Sequence, residues 1–533
     1  MKQYNLSRST IASASLILAF TAFLSKILGL LRDRLLASHF GTGATLDAYQ
    51  ISFLLPDFIY NLFIVGALSA AFIPIFLEVY QKRKKQAWNL VAELVSLLSI
   101  VTILILLISY IFTPQIVNLL GKLAQSAGTK YNTYDLCLII KLTRIMLVAP
   151  LLLGFSALFT GILQSFKHFL MPALAPIFYN LGIIGGILFL TPFWGIYGVA
   201  FGVLVGSFLH LAIQLPSLVT AGFRLKPKWG FSKEVRRVVK LAIPRTFGLV
   251  AQQAGFWINK IIAFTLGVGA VSVYYFANNL QFLPISLFGV SIATATFPDL
   301  ASFSNGQGKR QFAQTLTRSF CQIIYLTVPV SVIFLLLRAQ IVRLVLGTGE
   351  FDWSSTIRTA ATLGFFSISI FAQSLILLLA RAFFALKDTK TPVIVSVISL
   401  LINIVLSVFL SKRIGVAGLS LAFSIASFLD MLILLIVLRL KLENLDDAKI
   451  IKCGLKVILA TILMGGAVYG SLYLIAPLVD MHRFWGVLVQ AMGATIIGVA
   501  TYFFLTLLLK CAEIKLILEK IKKINVRSNQ QSL

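Results

Sequence analysis

The residues LVSLLSIVTILILLISYIFT (94–113) contain no charged side chain over twenty positions. A helix of about 20 apolar residues is long enough to cross the roughly 30 Å hydrocarbon core of a bilayer. This segment belongs to one of fourteen apolar stretches that we interpret as membrane-spanning helices. They are 10–31, 47–79, 88–113, 134–164, 169–191, 195–220, 236–265, 270–300, 311–337, 355–386, 391–410, 414–439, 450–476 and 483–509. The pattern predicts an all-α integral membrane protein with about fourteen transmembrane helices.

The composition of the whole chain supports this interpretation. Of its 533 residues, 59% are hydrophobic and only 12% are charged, whereas soluble domains carry about 25% charged residues. The fraction of surface that a soluble fold buries rises only slowly with chain length. A soluble protein therefore cannot hide this much apolar surface, and lipid must be the solvent for much of it.

The basic residues are concentrated in alternate loops. The net charge is +28, but Lys and Arg cluster after even-numbered stretches, as the positive-inside rule expects of cytoplasmic loops. These clusters are residues 81–85, 224–240, 309–310 and 387–390, and the tail from 510 onward, whereas Lys412 and Arg413 fall on the opposite side. The pattern predicts cytoplasmic termini and contacts with anionic membrane lipids, and it does not indicate nucleic-acid binding.

An internal repeat divides the chain. A shift of 220 residues superposes identical residues at several positions, which are Lys167 and Lys387, Pro172 and Pro392, Gly195 and Gly415, and Gly198 and Gly418. Because each repeat holds six spans, both enter the membrane in the same sense, as in transporters built from parallel repeats. We predict an N-terminal lobe (1–225), a C-terminal lobe (226–441), two additional helices (450–510) and a basic cytoplasmic tail (511–533).

Several ionisable residues fall within the predicted spans, where burial of a charge costs at least about 2.5 kcal/mol and usually indicates a cavity or a partner. Lys26, Arg32 and Asp33 lie on the first span, Asp47 at the start of the second, and Lys260 on the seventh. Two simpler interpretations remain open: Arg32 and its neighbours mark a helix end at the membrane surface, and Asp47 is a helix N-cap.

Catalytic and metal-binding motifs are missing from the sequence. Cys137, Cys321, Cys453 and Cys511 are widely separated, the four histidines are scattered, and no phosphate-binding glycine loop or HExxH motif occurs. We therefore predict a transporter that is not an enzyme and uses neither a metal nor another cofactor.

Five segments are similar to the MurJ/MviN lipid II flippases. They are SKILGLLRDRLLASHFGTGATLDAYQISFLLPDF (25–58), GALSAAFIP (66–74), LQSFKHFLMPALAPIFYN (163–180), GAVSVYYFANNLQFLP (269–284) and RAFFALKDTKTP (381–392). The resemblance implies two lobes around a cationic cavity that takes up the diphosphate and sugars of lipid II, and a groove in the last two helices for its prenyl tail. It also implies the bacterial plasma membrane as the location and the cell-wall synthesis machinery as a candidate partner.

The resemblance also suggests a substrate-binding set. Lys26 stands where the family has a first-helix arginine, and Arg32, Asp33 and Asp47 match family positions. With Asn279 and Lys260 they complete the set that we predict. The chain departs from the family by lacking charged residues at Tyr60, Asn61, Asn278 and Asn279, and Lys260 and Arg245 are the cations that compensate in our interpretation.

These missing charges leave other substrates open. One alternative is an exporter of another polyprenyl-diphosphate glycan, and another is a multidrug exporter of the same superfamily. A membrane-embedded glycosyl- or phosphotransferase is a third alternative, but it needs paired carboxylates, and the chain has only 18 Asp and Glu residues.

Overall fold

The computed structural model of the chain is built from helices. It describes residues 11–61, 72–128, 135–223, 228–303, 308–442 and 445–514, apart from the side chains of 11–17, 19 and 242–252. Within these residues there are helices and no strands, which confirms the predicted all-α class. The side chain of Arg245 and most of the predicted basic tail lie outside this described part.

Ten of the described helical segments are long and apolar enough to cross a membrane, or eleven if one pair bent by 44° counts as a single span. Each corresponds to one of the predicted stretches. The described residues of the three remaining stretches, 10–31, 47–79 and 236–265, are also largely helical, and each stretch includes residues or side chains outside the described part. The chain is therefore a multi-pass membrane protein, and the count of fourteen spans stays a prediction.

The chain divides into two units, of which the first comprises Met1–Ser272 with Thr348–Phe351. A buried apolar cluster of this unit combines aliphatic side chains with aromatic contacts, such as the stack of Phe72 on Phe76 and the edge contact of Phe76 with Trp88. The helices of this unit are α1 (Ile11–Phe40), α2 (Ala44–Ser52), α3 (Leu54–Tyr60), α4 (Phe72–Lys82), α5 (Lys84–Ser126), α6 (Leu136–Met146), α7 (Ala149–Ser165), α8 (Leu170–Gly185), α9 (Thr191–Trp194), α10 (Ile196–Ala212), α11 (Leu215–Thr220) and α12 (Lys233–Phe264).

The second unit comprises Val273–Gly347 and Asp352–Leu533. Its last two helices pack on one another and on α15, where the Tyr502 hydroxyl donates to the carbonyl of Tyr325 at 2.8 Å. The helices are α13 (Ala270–Pro284), which begins within the first unit, α14 (Ser291–Phe303), α15 (Lys309–Leu336), α16 (Arg338–Leu346), α17 (Trp353–Ile368), α18 (Ile370–Ala385), α19 (Lys390–Ile414), α20 (Val416–Leu442), α21 (Asp447–Ile475) and α22 (Phe484–Leu508).

The backbone reproduces the sequence repeat. Lys167 and Lys387, which are 220 residues apart, both have φ of 60°, a left-handed conformation that is uncommon for a residue with a side chain. Gly195 and Gly415 likewise have φ of 53° and 62°. Equivalent positions of the repeat therefore share turns and helix ends as well as residue types. Chance matches between apolar sequences do not produce such an agreement.

The RAFFALKDTKTP segment (381–392) contains the second of these left-handed lysines and has a clear structural role. Asp388 accepts hydrogen bonds from the backbone N–H groups of Lys390 and Thr391 at the start of α19, and its carboxylate also pairs with the ammonium of Lys441. Partial burial opposes its ionisation, but these bonds hold the pKa of Asp388 below its usual value. The segment therefore joins the start of α19 to the end of α20.

Glycines bring α8 and the turn that follows it into backbone contact with α10. A Cβ atom on Gly182 would overlap the backbone of Gly206, and one on Gly186 would lie 2.5 Å from the Cα of Gly202. Small residues at such spacing allow membrane helices to approach closely, because packing rather than the hydrophobic effect drives their association in lipid. The positions 220 residues later hold Ile402, Leu406, Ala422 and Ala426, so this glycine contact belongs to the first unit alone.

We expect Gly182→Ala to lower the free energy of unfolding by about 1–3 kcal/mol, because the added methyl group has no space between the helices. Thermal unfolding in detergent would measure the loss. Gly185→Ala is the matched control, since a Cβ atom there meets nothing within 4 Å. Equal unfolding temperatures for the two variants would contradict the close approach of α8 to α10.

Candidate functional site

Arg32 is the centre of a polar network within the first unit. Its guanidinium donates to Asp33 Oδ1 from Nη2 at 2.8 Å and from Nε at 3.1 Å, and to Asn180 Oδ1 from Nη1 at 3.2 Å. Asn180 on α8 in turn donates to the hydroxyl and carbonyl of Ser25 on α1. The Asp33 side chain is 5% exposed and that of Arg32 17%. The guanidinium is therefore oriented by two helices rather than left to move at a helix end.

Lys26 differs from Asp33 in its surroundings. The helical spacing predicts that the two side chains share a face, but Lys26 is exposed whereas Asp33 is 3% exposed as a residue. α8 packs against α1, and Arg32, which is next to Asp33, is bonded to Asn180 on α8. Lys26 is thus accessible, whereas Asp33 is not.

Asp47 is fully buried and caps a helix that follows far along the chain. Its Oδ1 accepts from the backbone N–H of Ser272 at 2.8 Å and from the Ser272 hydroxyl at 2.6 Å, and its Oδ2 accepts from the N–H of Gly269 at 2.6 Å. The first N–H groups of a helix lack partners within the helix, and a carboxylate there is stabilised by the helix dipole. The sequence predicts Asp47 as an N-cap of the second span, whereas the helix that it caps is α13.

Lys260 is buried on α12, with 2% of its surface exposed. Its ammonium donates to the carbonyl of Gln50 on α2 at 3.2 Å and lies 5.1 Å from the ring centroid of Phe256. It also interacts electrostatically with Asp57 on α3. A buried ammonium needs such partners, because leaving an isolated charge in an apolar interior is far more costly. The hydrogen bond to Gln50 ties α12 to α2.

A cavity of about 240 Å³ lies inside the first unit. Polar side chains enter it from three helices: Asp57 and Tyr60 from α3, Tyr179 from α8 and His210 from α10. Pro176 on α8 is also in its wall. The cavity is large enough for several water molecules, so Asp57 has a polar environment within an otherwise apolar span.

Behind this cavity is a hydrogen-bonded group that sequence reasoning missed. The Ser156 hydroxyl lies 2.6 Å from His210 Nδ1, and Gln214 donates to Ser156 and accepts from the Thr160 hydroxyl at 3.0 Å. The sequence signal was the spacing of four between His210 and Gln214 within an apolar stretch, which puts both on one helix face. The four histidines are scattered along the sequence, so nothing singled out His210.

Asn279, the remaining predicted site residue, belongs to the second unit. It is half-buried on α13, next to Asn278. Asn278 accepts from Gln281, whose Oε1 accepts from Gln373 on α18, and Gln373 also donates to Ser369. Asn278 is thus part of a neutral chain of amide hydrogen bonds between α13 and α18.

A family model described as "Lipid II flippase MurJ" matches residues 36–507. The chain belongs to the MurJ family. A MurJ relative from Buchnera aphidicola is 30% identical over 77% of this chain and 80% of its own length. The MurJ relative from Vibrio cholerae is 28% identical over 96% of this chain and 98% of its own.

Solved structures agree with this membership. The structure of a lipid II flippase MurJ in an inward closed conformation matches with a TM-score of 0.75 and 26% identity, covering 92% of this chain and 98% of that one. A multidrug resistance MATE transporter of the MOP superfamily in an inward-facing conformation matches with a TM-score of 0.65 and 15% identity, over 79% and 96% of the two chains. The second likeness shows a shared fold alone. The resemblance of the sequence to the MurJ/MviN family is therefore confirmed.

Proposed function

We propose that this chain moves lipid II, the undecaprenyl-diphosphate-linked peptidoglycan precursor, from the cytoplasmic to the outer leaflet by alternating access. The observation that carries the proposal is the oriented guanidinium of Arg32, held by Asp33 and Asn180 within a chain of the MurJ family. Exposing the diphosphate of such a substrate to hydrocarbon is far too costly, so its path needs fixed cations and water. A planar guanidinium suits this task because it binds phosphate oxygens with defined geometry.

The other residues of the predicted set have different parts in this proposal. Lys26 is exposed and supplies a second positive charge on α1. Asp33 positions Arg32, while Asp47 and Lys260 support the helices through their buried contacts with α13 and α2. Asn279 stays in the set on the family resemblance.

The orientation and domain boundaries are also proposals. The basic loops favour cytoplasmic termini and a location in the bacterial plasma membrane. We retain the predicted lobes, 1–225 and 226–441, as the halves that alternate, with 450–510 as the groove for the prenyl tail. Transport needs no bond to be made or broken, so we assign no catalytic residue and no cofactor. Membrane lipids contact the chain, and the cell-wall synthesis machinery is its proposed protein partner.

Reconstitution tests the substrate. Purified chain in vesicles that carry lipid II in one leaflet is expected to move it to the other leaflet, where an added enzyme or reagent detects its headgroup. Protein-free vesicles provide the background. Two further cargoes, another polyprenyl-diphosphate glycan and a cationic drug, represent the alternatives. Transport of either one without transport of lipid II would replace the proposed substrate.

A further inference from the structure

Two cysteines and a glutamate from three distant segments meet in the second unit. Cys321 lies on α15, Cys453 near the start of α21, and Glu513 in a helical segment (512–514) that follows α22. Their thiol and carboxylate atoms all lie within 4.8 Å of one another. Cys321 is 1% exposed and Cys453 8%. Sequence spacing predicted no metal site because each residue stands alone in its own segment.

The spacing of these atoms is close to that of a metal-ligand set. Cys453 Sγ lies 3.7 Å from Glu513 Oε1. Zinc–sulfur bonds of about 2.3 Å and zinc–oxygen bonds of about 2.0 Å at tetrahedral angles put sulfur and oxygen ligands about 3.5 Å apart. They put two sulfur ligands about 3.8 Å apart. Small side-chain movements would therefore bring all three groups onto one ion.

We propose that Cys321, Cys453 and Glu513 bind a thiophilic divalent cation, with Zn²⁺ as the best match. Two thiolates select against Mg²⁺ and Ca²⁺, which prefer oxygen ligands, and their mixture with one carboxylate is typical of tetrahedral zinc. Three protein ligands leave the fourth position to water. Burial of the two thiols within packed helices limits access by larger oxidants, and the half-buried carboxylate leaves an entry path for an ion.

The surroundings indicate what the ion does. Lys456 on α21 already donates to the carbonyls of Leu509 at 2.5 Å and Lys510 at 3.3 Å, and Cys511 is 3% exposed. The segment after α22 is thus held against α21 at several points. A bound ion adds a link from this segment to both α15 and α21, and so fixes the point at which the chain leaves the last helix.

Metal binding to the full chain in detergent tests the site directly. We expect about one Zn²⁺ per chain by elemental analysis, and a thiolate-to-cobalt absorption band when Co²⁺ replaces it. Cys321→Ser, Cys453→Ser and Glu513→Gln should each raise the dissociation constant at least about tenfold. Glu513→Gln keeps the shape of the side chain, which separates a lost ligand from a fold that fails.

Two other cysteines supply controls. Cys137→Ser changes an exposed cysteine of the first unit, and Cys511→Ser changes a buried neighbour outside the cluster. Both variants should bind the ion as the unaltered chain does. A wild-type chain that takes up neither Zn²⁺ nor Co²⁺, an ion retained in Cys321→Ser and Cys453→Ser, or a Cys321–Cys453 disulfide in freshly prepared membranes would each overturn the proposal.

Discussion

Arg32→Ala is expected to slow lipid II transport in reconstituted vesicles by about 10- to 100-fold, since one charged hydrogen-bonding group is worth about 1.5–3 kcal/mol. The guanidinium is oriented by Asp33 and Asn180 before any substrate arrives. Substituting it removes the best-placed phosphate ligand of α1. The initial rate of lipid II appearance in the second leaflet is the quantity to measure.

Stability must be followed in the same variant, because Arg32 also neutralises buried Asp33. Arg32→Lys keeps the positive charge but loses the planar fork, so an intermediate rate is expected. Asn180→Ala leaves the charge and removes its second anchor, which should lower the rate less than Arg32→Ala does. Arg144→Ala is the matched control, since that guanidinium lies 4.4 Å from the Tyr110 ring and has no part in the proposed site.

The rate of lipid II transport by Arg32→Ala decides whether Arg32 belongs to the substrate path. A normal rate in a stably folded variant would remove Arg32 from the substrate path. If the transport rate falls only in proportion to the loss of folded protein, the network of Arg32, Asp33 and Asn180 has a structural role alone.

The architecture was predictable because lipid makes simple demands on a sequence. A spanning segment must be long, apolar and helical, so stretches such as 94–113 can be identified by inspection. The repeat was predictable as well, because identical residues such as Lys167 and Lys387 recur at a shift of 220. The structure adds that both lysines have the same left-handed backbone. The irregular turns within the helices were harder to predict. The π-helical turns at Gly186–Leu190 and Ile285–Val290 depend on packing that composition does not reveal.

The candidate site was predictable in its residue types and less so in their partners. A charge within a span indicates that a partner exists but does not name it. Arg32 and Asp33 are adjacent, yet Asn180 is 148 residues away from Arg32 and completes the network. Asp47 is 225 residues from Ser272, so its helix could not be identified from local spacing. The cysteine cluster shows the same limit, since its ligands come from three segments.

Asp47→Ala is expected to lower the free energy of unfolding by about 2–5 kcal/mol. The substitution leaves the backbone N–H groups of Gly269 and Ser272 without their acceptor in a fully buried position, and each such loss costs about 1–3 kcal/mol. Asp47→Asn keeps one acceptor oxygen, so its free energy of unfolding should lie between those of the unaltered chain and Asp47→Ala. Unfolding in mixed detergent micelles, followed by circular dichroism, measures the difference.

Asp352→Ala is the matched control, because Asp352 caps α17 with one bond to the Ser355 N–H at 2.7 Å but is exposed. That cap should be worth about 1 kcal/mol. Transport by Asp47→Asn then distinguishes a helix-capping role of Asp47 from a substrate-binding role. A less stable chain that still transports lipid II would make Asp47 a helix cap, whereas unchanged stability with lost transport would contradict the capping role and make the carboxylate a substrate contact. The fully buried position of Asp47 favours the first outcome, because its oxygens already have the partners that a substrate would have to displace.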